Sequence, residues 1–168
     1  MTGKEKAAQI LAALKMCGID LVAALPDSWL TDLMEAIASE PGMTLVRVTR
    51  EDEAVGICAG AFLGGRRAAV LAQNAGVLLS VNALAGLAMH HQIPLLLLVA
   101  CRGGIDDNQF YQVYKGRVTE PVLRALNLPH HKVGGAADFG LIPMAFEQAR
   151  LARVPALLLF DRFALLND

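Results

Sequence analysis

Residues 94–101 form a continuous run of apolar side chains, with no alternation between polar and apolar positions. A run of this kind is typical of a strand that is buried on both faces, as in the parallel sheets of α/β proteins. It is far shorter than the roughly 20 residues that a membrane-spanning helix needs. Other short apolar runs alternate along the chain with helical periods. The alternation predicts an α/β fold of three layers (α/β/α), in which helices cover both faces of a mostly parallel sheet.

The pattern predicts one domain that spans residues 1–168, a usual length for a single domain. The predicted strands cover residues 19–25, 43–49, 68–73, 94–101, 130–133 and 155–160. The predicted helices cover residues 4–16, 27–38, 51–63, 77–91, 119–126 and 137–152. We predict a turn at residues 74–76 and a long irregular segment at residues 102–117. A segment of that length in a compact domain is usually functional or disordered.

Charge, cysteine content and motifs argue against several classes of protein. The formal net charge is −1 and no basic run is present, so we expect no nucleic acid partner. The cysteines form no CxxC pair and lie among apolar residues, which predicts neither a disulfide nor a zinc site. The histidine pairs lack the acidic neighbours of a metal site, so no metal ligand is predicted in this chain. The N-terminus has no apolar leader, and we expect a cytoplasmic protein without a membrane partner.

Glu51 stands where a predicted strand gives way to a predicted helix, and residues 54–62 behind it carry no charge. In a parallel sheet this corner faces the ligand crevice beyond the carboxyl ends of the strands. One interpretation is that Glu51, Asp52 and Glu53 are ordinary helix-start acids that meet the positive end of the helix dipole. Spacing alone favours that interpretation. The other is that Glu51 is a carboxyl in an apolar corner, placed to share a proton with a ligand.

Four segments resemble one family in their order along nearly the whole chain. They are Leu25-Pro26-Asp27-Ser28-Trp29, residues 50–60, Gln73-Asn74-Ala75-Gly76, and Cys101-Arg102-Gly103 with residues 115–119. Together they are similar to the pyrimidine-binding domain of thiamine diphosphate decarboxylases, within the family of sulfopyruvate and phosphonopyruvate decarboxylases. The resemblance implies cleavage of a 2-oxo acid with an anionic tail, sulfopyruvate (to sulfoacetaldehyde and carbon dioxide) ahead of phosphonopyruvate. The same step serves sulfonate breakdown and coenzyme M synthesis, and both pathways stay open.

The resemblance also assigns roles to particular residues. Glu51 lies nine residues before Gly60, the family's spacing for the glutamate that contacts N1′ of the aminopyrimidine ring, and this reverses the preference for a helix-start acid. The implied cofactor-binding residues are Glu51, Pro26, Asn74 and Gly76. The implied substrate-binding residues are Asp27, Ser28, Arg102, Lys115 and Arg117. The residues themselves allow plainer roles: helix capping for Asp27 and Ser28, turn formation for Asn74, and solvated loop charges for the three cations.

The family binds the cofactor's diphosphate through Mg²⁺ on a second domain that carries a Gly-Asp-Gly…Asn motif, and Gly-Asp-Gly is absent from this sequence. The resemblance therefore implies that a separate β subunit completes the site in a hetero-oligomer, or that the sequence is a truncated part of a longer protein. The chain departs from the family at Ala75, Leu78 and Leu79, which make one edge of the site bulkier, and at Gln112, where relatives can carry histidine. A non-catalytic assembly module remains an alternative. A general nucleotide-binding module is disfavoured, because phosphate-binding glycine motifs are missing.

Overall fold

A six-stranded sheet lies between two layers of helices in the computed structural model, which describes residues 1–105 and 107–166. The strands are β1 (Leu21–Ala24), β2 (Thr44–Arg47), β3 (Ala68–Gln73), β4 (Leu96–Ala100), β5 (His130–Val133) and β6 (Ala156–Phe160). Their order in the sheet is β2-β1-β3-β4-β6-β5, and every neighbouring pair is parallel. The predicted fold class is confirmed.

The α-helices connect consecutive strands, except the first helix, which precedes β1, and the last, which follows β6. They are α1 (Gly3–Met16), α2 (Thr31–Ser39), α3 (Glu51–Leu63), α4 (Asn74–Leu79), α5 (Val81–Ala83), α6 (Phe110–Ala125), α7 (Leu141–Ala152) and α8 (Arg162–Leu165). A π-helical segment, Leu84–Met89, continues α5, and a 3₁₀ turn, Ala136–Asp138, precedes α7. Within the described part of the chain, no helix is both long enough and apolar enough to cross a membrane.

Two apolar cores, one on each face of the sheet, explain the uninterrupted apolar run of β4. Leu96 and Leu98 point into the core under α1, α2 and α7, while Leu97 and Val99 point into the core under α3 and α4. All five residues of β4 are buried. Full burial of a leucine or valine side chain stabilises the fold by about 1.5–3 kcal/mol relative to exposure. Burial on both faces therefore accounts for an apolar residue at every position of β4.

The helix predicted from residue 27 begins later, at Thr31. Instead of capping that helix, the Asp27 carboxylate accepts a hydrogen bond from the backbone N–H of Trp29 at 2.9 Å. This contact closes a tight turn ahead of the helix. The prediction that Asp27 and Ser28 cap α2 was wrong, and the side chains of both residues point toward the loop that follows β4.

Two further predictions about local structure were wrong. Residues 74–76 do not form a turn, because α4 begins directly at Asn74. Half of the segment predicted as irregular belongs to helix α6, which begins at Phe110, so the irregular part is confined to residues 101–109, of which Asp106 lies outside the described residues. Side-chain hydrogen bonds join α6 to the end of β3 and the start of α4, from Gln112 to Gln73 and from Asn74 to Thr119, and such contacts leave no periodic signal in a sequence.

Candidate active site

The strand order places a crevice at the carboxyl end of β1. This strand lies between β2 and β3, so the chain continues from β1 to β2 on one side and then crosses to β3 on the other side of β1. Open parallel sheets bind ligands at such a switch point, outside the carboxyl ends of the strands. The segments that follow β1, β2, β3 and β4 carry Asp27, Glu51, Asn74 and Arg102, respectively. Four of the predicted site residues therefore meet at one edge of the sheet.

The three acids at the start of α3 have different environments. Glu53 accepts hydrogen bonds from the backbone N–H groups of Thr49 and Arg50, at 2.9 and 3.2 Å, so it caps the helix. Asp52 forms an exposed ion pair with Arg50 at 2.9 Å. Hydrogen bonds from these neighbours lower the pKa of both carboxyls. Glu51 is 6% exposed, and its carboxyl has no hydrogen-bond or ion-pair partner within residues 1–105 and 107–166.

The Glu51 carboxyl lies directly against Gly76 in the first turn of α4. A Cβ atom added to Gly76 would stand 2.3 Å from both Cγ and Oε1 of Glu51, a distance that real Cβ atoms do not tolerate. Glycine at this position therefore makes room for the carboxyl. A buried carboxyl without a partner in the protein is able to share a proton with a ring nitrogen of a ligand. These residues fit an aminopyrimidine ring at this corner.

Arg102 connects the loops that follow β1 and β4, across the end of β3. Its guanidinium donates to Asp107 at 2.8 Å and to Asp27 at 3.2 Å, and it lies 4.4 Å from the centre of the Trp29 ring. The side chains of Arg102, Asp27 and Asp107 are 8%, 8% and 2% exposed. The hydroxyl of Ser28 accepts a long hydrogen bond of 3.5 Å from Nη1 of Arg102. We call Arg102, Asp27, Asp107 and Trp29 the arginine cluster.

Pairing inside the arginine cluster shifts the pKa values of Arg102 and Asp107. Burial alone acts to lower the pKa of Arg102, but the hydrogen bond to Asp107 and the charges of Asp27 and Asp107 raise it above its ordinary value. For Asp107, burial acts to raise the pKa, and the hydrogen bonds from Arg102 and from the N–H groups of Gly103 and Gln109 lower it overall. One guanidinium with two carboxylates carries a net charge of about −1 when all are ionised. This charge does not attract an anion.

Asn74 holds the arginine cluster to the end of β3. Its side chain is fully buried, donates to the Arg102 carbonyl at 3.0 Å and to Thr119 Oγ1 at 3.1 Å, and accepts from the Arg102 N–H at 3.1 Å. Both amide hydrogens are therefore used inside the protein. The predicted contact of Asn74 with the cofactor stays a prediction, and the observed contacts position Arg102 and the start of α4.

Pro26, Lys115 and Arg117 are not part of this cluster. Pro26 is exposed in the loop after β1. Lys115 lies on α6 with its amino group 5.6 Å from the centre of the Tyr111 ring. Arg117, also on α6, is exposed and lines a cavity of about 230 Å³ together with Arg102 and Gly103. Neither cation has a carboxylate partner in the part of the chain that the structure describes.

The sequence did not single out Asp107, and it marked Gln112 only as a departure from the family. Asp107 follows Arg102 by five residues in a glycine-rich segment, and only that spacing could have suggested the pair. Gln112 is buried and donates from Nε2 to Oε1 of Gln73 at 3.3 Å. The other amide atom of Gln112, Oε1, is buried without a hydrogen-bond partner among the described residues. Over residues 1–105 and 107–166, no group of three or more histidine, cysteine or acidic side chains is placed to hold a metal ion.

The chain belongs to the thiamine pyrophosphate enzymes. The family model described as "Thiamine pyrophosphate enzyme, N-terminal TPP binding domain" matches residues 4–119. Within this family the chain is a homologue of sulfopyruvate decarboxylase alpha subunits. It is 36% identical over 153 residues to "Sulfopyruvate decarboxylase subunit alpha" of Methanocaldococcus jannaschii, a match that covers 90% of each chain. The predicted family is confirmed.

Longer proteins match over only part of their length. "Phosphonopyruvate decarboxylase" of Streptomyces viridochromogenes is 34% identical over 119 residues, which are 70% of this chain and 30% of that protein. Among solved structures, the 2-oxoglutarate:ferredoxin oxidoreductase from Magnetococcus marinus aligns with a TM-score of 0.71 at 20% identity. That alignment covers 99% of this chain and 30% of the other chain. At this identity the structural match shows a shared fold alone.

Proposed function

We propose that the chain is the alpha subunit of a thiamine diphosphate-dependent decarboxylase, and that it converts sulfopyruvate to sulfoacetaldehyde and carbon dioxide together with a β subunit. The observation that carries the proposal is the pairing of Glu51 with Gly76 at the switch point of the sheet. Glu51 is buried, has no partner among the described residues, and lies in a space that only glycine at position 76 leaves open. Similarity to alpha subunits over 90% of the chain supports the same conclusion.

In this proposal Glu51 holds a proton at N1′ of the aminopyrimidine ring. The cofactor, when bound, supplies the electron sink that decarboxylation of a 2-oxo acid requires. Asp52 and Glu53 hold α3 in place, because they are engaged with Arg50 and Thr49. Gly76 sets the position of the Glu51 carboxyl from the opposite side. Asn74 fixes the start of α4, and hence Gly76, through its bonds to the Arg102 backbone.

The anionic tail of the substrate needs a positive charge that the arginine cluster does not offer, because Arg102 is already paired with two carboxylates. We assign the tail to Lys115 or Arg117, which have no carboxylate partner within the described residues. Arg102, Asp27 and Ser28 form the wall of the substrate crevice. Pro26 lies at the mouth of that crevice, on the exposed loop after β1.

The diphosphate and its Mg²⁺ belong to a partner in this proposal. The sequence has no Gly-Asp-Gly motif, and the described residues offer no metal cluster. The chain matches 90% of the alpha subunit from Methanocaldococcus jannaschii but only 30% of the phosphonopyruvate decarboxylase from Streptomyces viridochromogenes. The remaining part of the site is therefore assigned to a β subunit that carries the diphosphate-binding domain.

Reconstitution with the partner tests this proposal. The chain is purified alone and together with the protein from the same genome that carries a Gly-Asp-Gly…Asn motif, with thiamine diphosphate and Mg²⁺. We expect sulfoacetaldehyde from the pair and none from the single chain, and loss of product with Glu51→Gln. Glu53→Gln is the matched control at the same helix start. Product from the single chain, with mass spectrometry excluding a partner, would contradict the divided site.

Phosphonopyruvate is the second candidate substrate, since phosphonopyruvate decarboxylases match 67–70% of the chain at 34% identity. It differs from sulfopyruvate in its tail, which carries a second ionisable oxygen. Product formation from each 2-oxo acid, measured in the same reconstituted complex, decides between them. A complex that assembles but releases carbon dioxide from neither substrate would favour the non-catalytic assembly module, for which the bulky Leu78 and Leu79 beside the site are the supporting feature.

A further inference from the structure

Two adjoining cavities lie at the edge of the sheet opposite the crevice. Their volumes are about 210 and 350 Å³, and they share Phe62, Pro94 and Arg150. The first is bounded by Ala68, the residue that begins β3, whereas the crevice lies beyond the last residue of that strand. β3 has six residues at about 3.3 Å each, so the two edges are roughly 20 Å apart. A ligand in these cavities does not reach Glu51.

Four exposed arginines surround the cavities, and only part of their charge is compensated. Arg66 pairs with Asp20 at 3.2 Å, and Arg150 pairs with Glu147 at 2.7 Å. The other two, Arg67 and Arg153, have no carboxylate partner within residues 1–105 and 107–166. The site therefore carries local positive charge on a chain whose net charge is −1.

The walls between these arginines are aromatic and apolar. The guanidinium carbon of Arg67 lies 5.9 Å from the centre of the Phe146 ring, and one of its N–H groups donates to the Cys17 carbonyl at 2.8 Å. These contacts hold the guanidinium at the cavity wall. Phe62 is 41% exposed and borders both cavities, so its ring is available to a ligand. The guanidinium group of arginine can donate two parallel hydrogen bonds to phosphate oxygens, and an exposed aromatic ring can stack on a flat ligand ring.

We propose that these two cavities form a second binding site for a small organic phosphate that carries a flat ring, the chemistry of a nucleoside monophosphate. Arg67 and Arg150 bind the phosphate group, and Phe62 stacks on the ring. Ligand sites of this class commonly enclose 300–1,000 Å³, a range that the joined cavities reach. The site is independent of the proposed decarboxylase activity, because it uses none of the crevice residues.

Calorimetric titration of the full purified chain with AMP, inorganic phosphate and adenosine tests the proposal. We expect AMP to bind saturably, and more tightly than either of its parts. Arg67→Gln and Arg150→Gln should each weaken AMP binding by roughly tenfold or more, because each removes charge-assisted hydrogen bonds. Phe62→Ala should weaken the binding of AMP but not of inorganic phosphate. Arg124→Gln is the matched control, since Arg124 is also exposed and paired with a glutamate, outside the cavities.

Absence of saturable AMP binding at millimolar concentration would overturn the proposal, as would arginine variants that bind AMP like the wild type or like Arg124→Gln. Equal affinity for AMP and inorganic phosphate, with no effect of Phe62→Ala, would overturn the role of the ring. The titration needs no partner, cofactor or substrate. A failed decarboxylase assay therefore leaves this result standing, and a failed titration leaves the decarboxylase assignment untouched.

Discussion

Replacing Arg102 with methionine is expected to destabilise the fold strongly. The change keeps much of the side-chain volume but leaves the Asp27 and Asp107 carboxylates, 8% and 2% exposed, without the guanidinium that lies between them. Breaking a buried ion pair by removing one partner costs about 3–5 kcal/mol. For a domain of this size each kcal/mol lowers Tm by roughly 2–4 °C, so we expect a fall of about 6–20 °C.

Thermal unfolding followed by circular dichroism measures this effect, with Asp52→Asn as the control. That control breaks the Arg50–Asp52 pair, whose side chains are 59% and 32% exposed, and exposed pairs contribute about 0–1 kcal/mol. The comparison is repeated at acid pH. Arg102 lowers the pKa of Asp107, so this stabilisation is present above the carboxyl's unfolded-state pKa and is lost as pH falls through the folded-state value. The difference in Tm between wild type and Arg102→Met should narrow on acidification.

Two results would refute this reasoning. A fall in Tm no larger than that of Asp52→Asn would mean that the buried pairing contributes no more than the exposed pair at the start of α3. A difference between wild type and Arg102→Met that stays constant from neutral to acid pH would mean that lost packing, and not unpaired carboxylates, causes the destabilisation.

Three further predictions concern the crevice. In the assembled complex, Glu51→Gln should lower turnover by about 10²–10⁴-fold and slow hydrogen exchange at C2 of the bound cofactor, whereas Glu53→Gln should mainly remove a helix cap of about 1 kcal/mol. Gly76→Ala should weaken cofactor binding, measured by calorimetry, because the new Cβ would lie 2.3 Å from the Glu51 side chain; Gly60→Ala, which meets nothing within 4 Å, is the control. The unfolding free energy of the wild type, measured with urea, should fall as pH drops through the lowered pKa of Asp107, and Asp107→Asn should flatten this dependence.

Each of these predictions has an outcome that contradicts it. A greater loss of turnover with Glu53→Gln than with Glu51→Gln would mean that the proton-sharing carboxyl is not that of Glu51. Equal cofactor affinity for Gly76→Ala and Gly60→Ala would show that position 76 does not limit the site. An unchanged pH dependence in Asp107→Asn would assign the acid sensitivity of the fold to other carboxyls.

The sequence predicted the core elements well because their signals are local. The bounds of α3 and β3 were predicted to the residue, since a helix that begins with three acids and is uncharged over residues 54–62 stops at Gly64 and is followed by a run of buried strand residues. The chain order of strands and helices also predicted the parallel sheet. The resemblance assigned Glu51 its role, which stays a prediction, and the structure shows that the side chain is buried against Gly76.

Helix α6 shows why other parts could not be predicted. Gly116 is usually a helix breaker, yet a Cβ there would lie 2.8 Å from the carbonyl oxygens of Arg102 and Gly103, so close packing against the preceding loop requires glycine. Thr119 and Gln112 fix the helix through Asn74 and Gln73, which are 45 and 39 residues away in the sequence. Contacts over such separations have no local pattern, and neither does the pairing of Arg102 with Asp27.

The distance in sequence between Asp27 and Arg102 has a consequence for how the chain reaches its final form. The two residues are 75 positions apart, and they come together only after β3 has been inserted between β1 and β4. Closing so long a loop costs conformational entropy, so we expect this contact to form late in folding. Until then Arg102, Asp27 and Asp107 stay in water, and the loops that form the crevice have no fixed shape. A subunit that recognises this edge of the sheet therefore binds fully folded chains and does not bind folding intermediates.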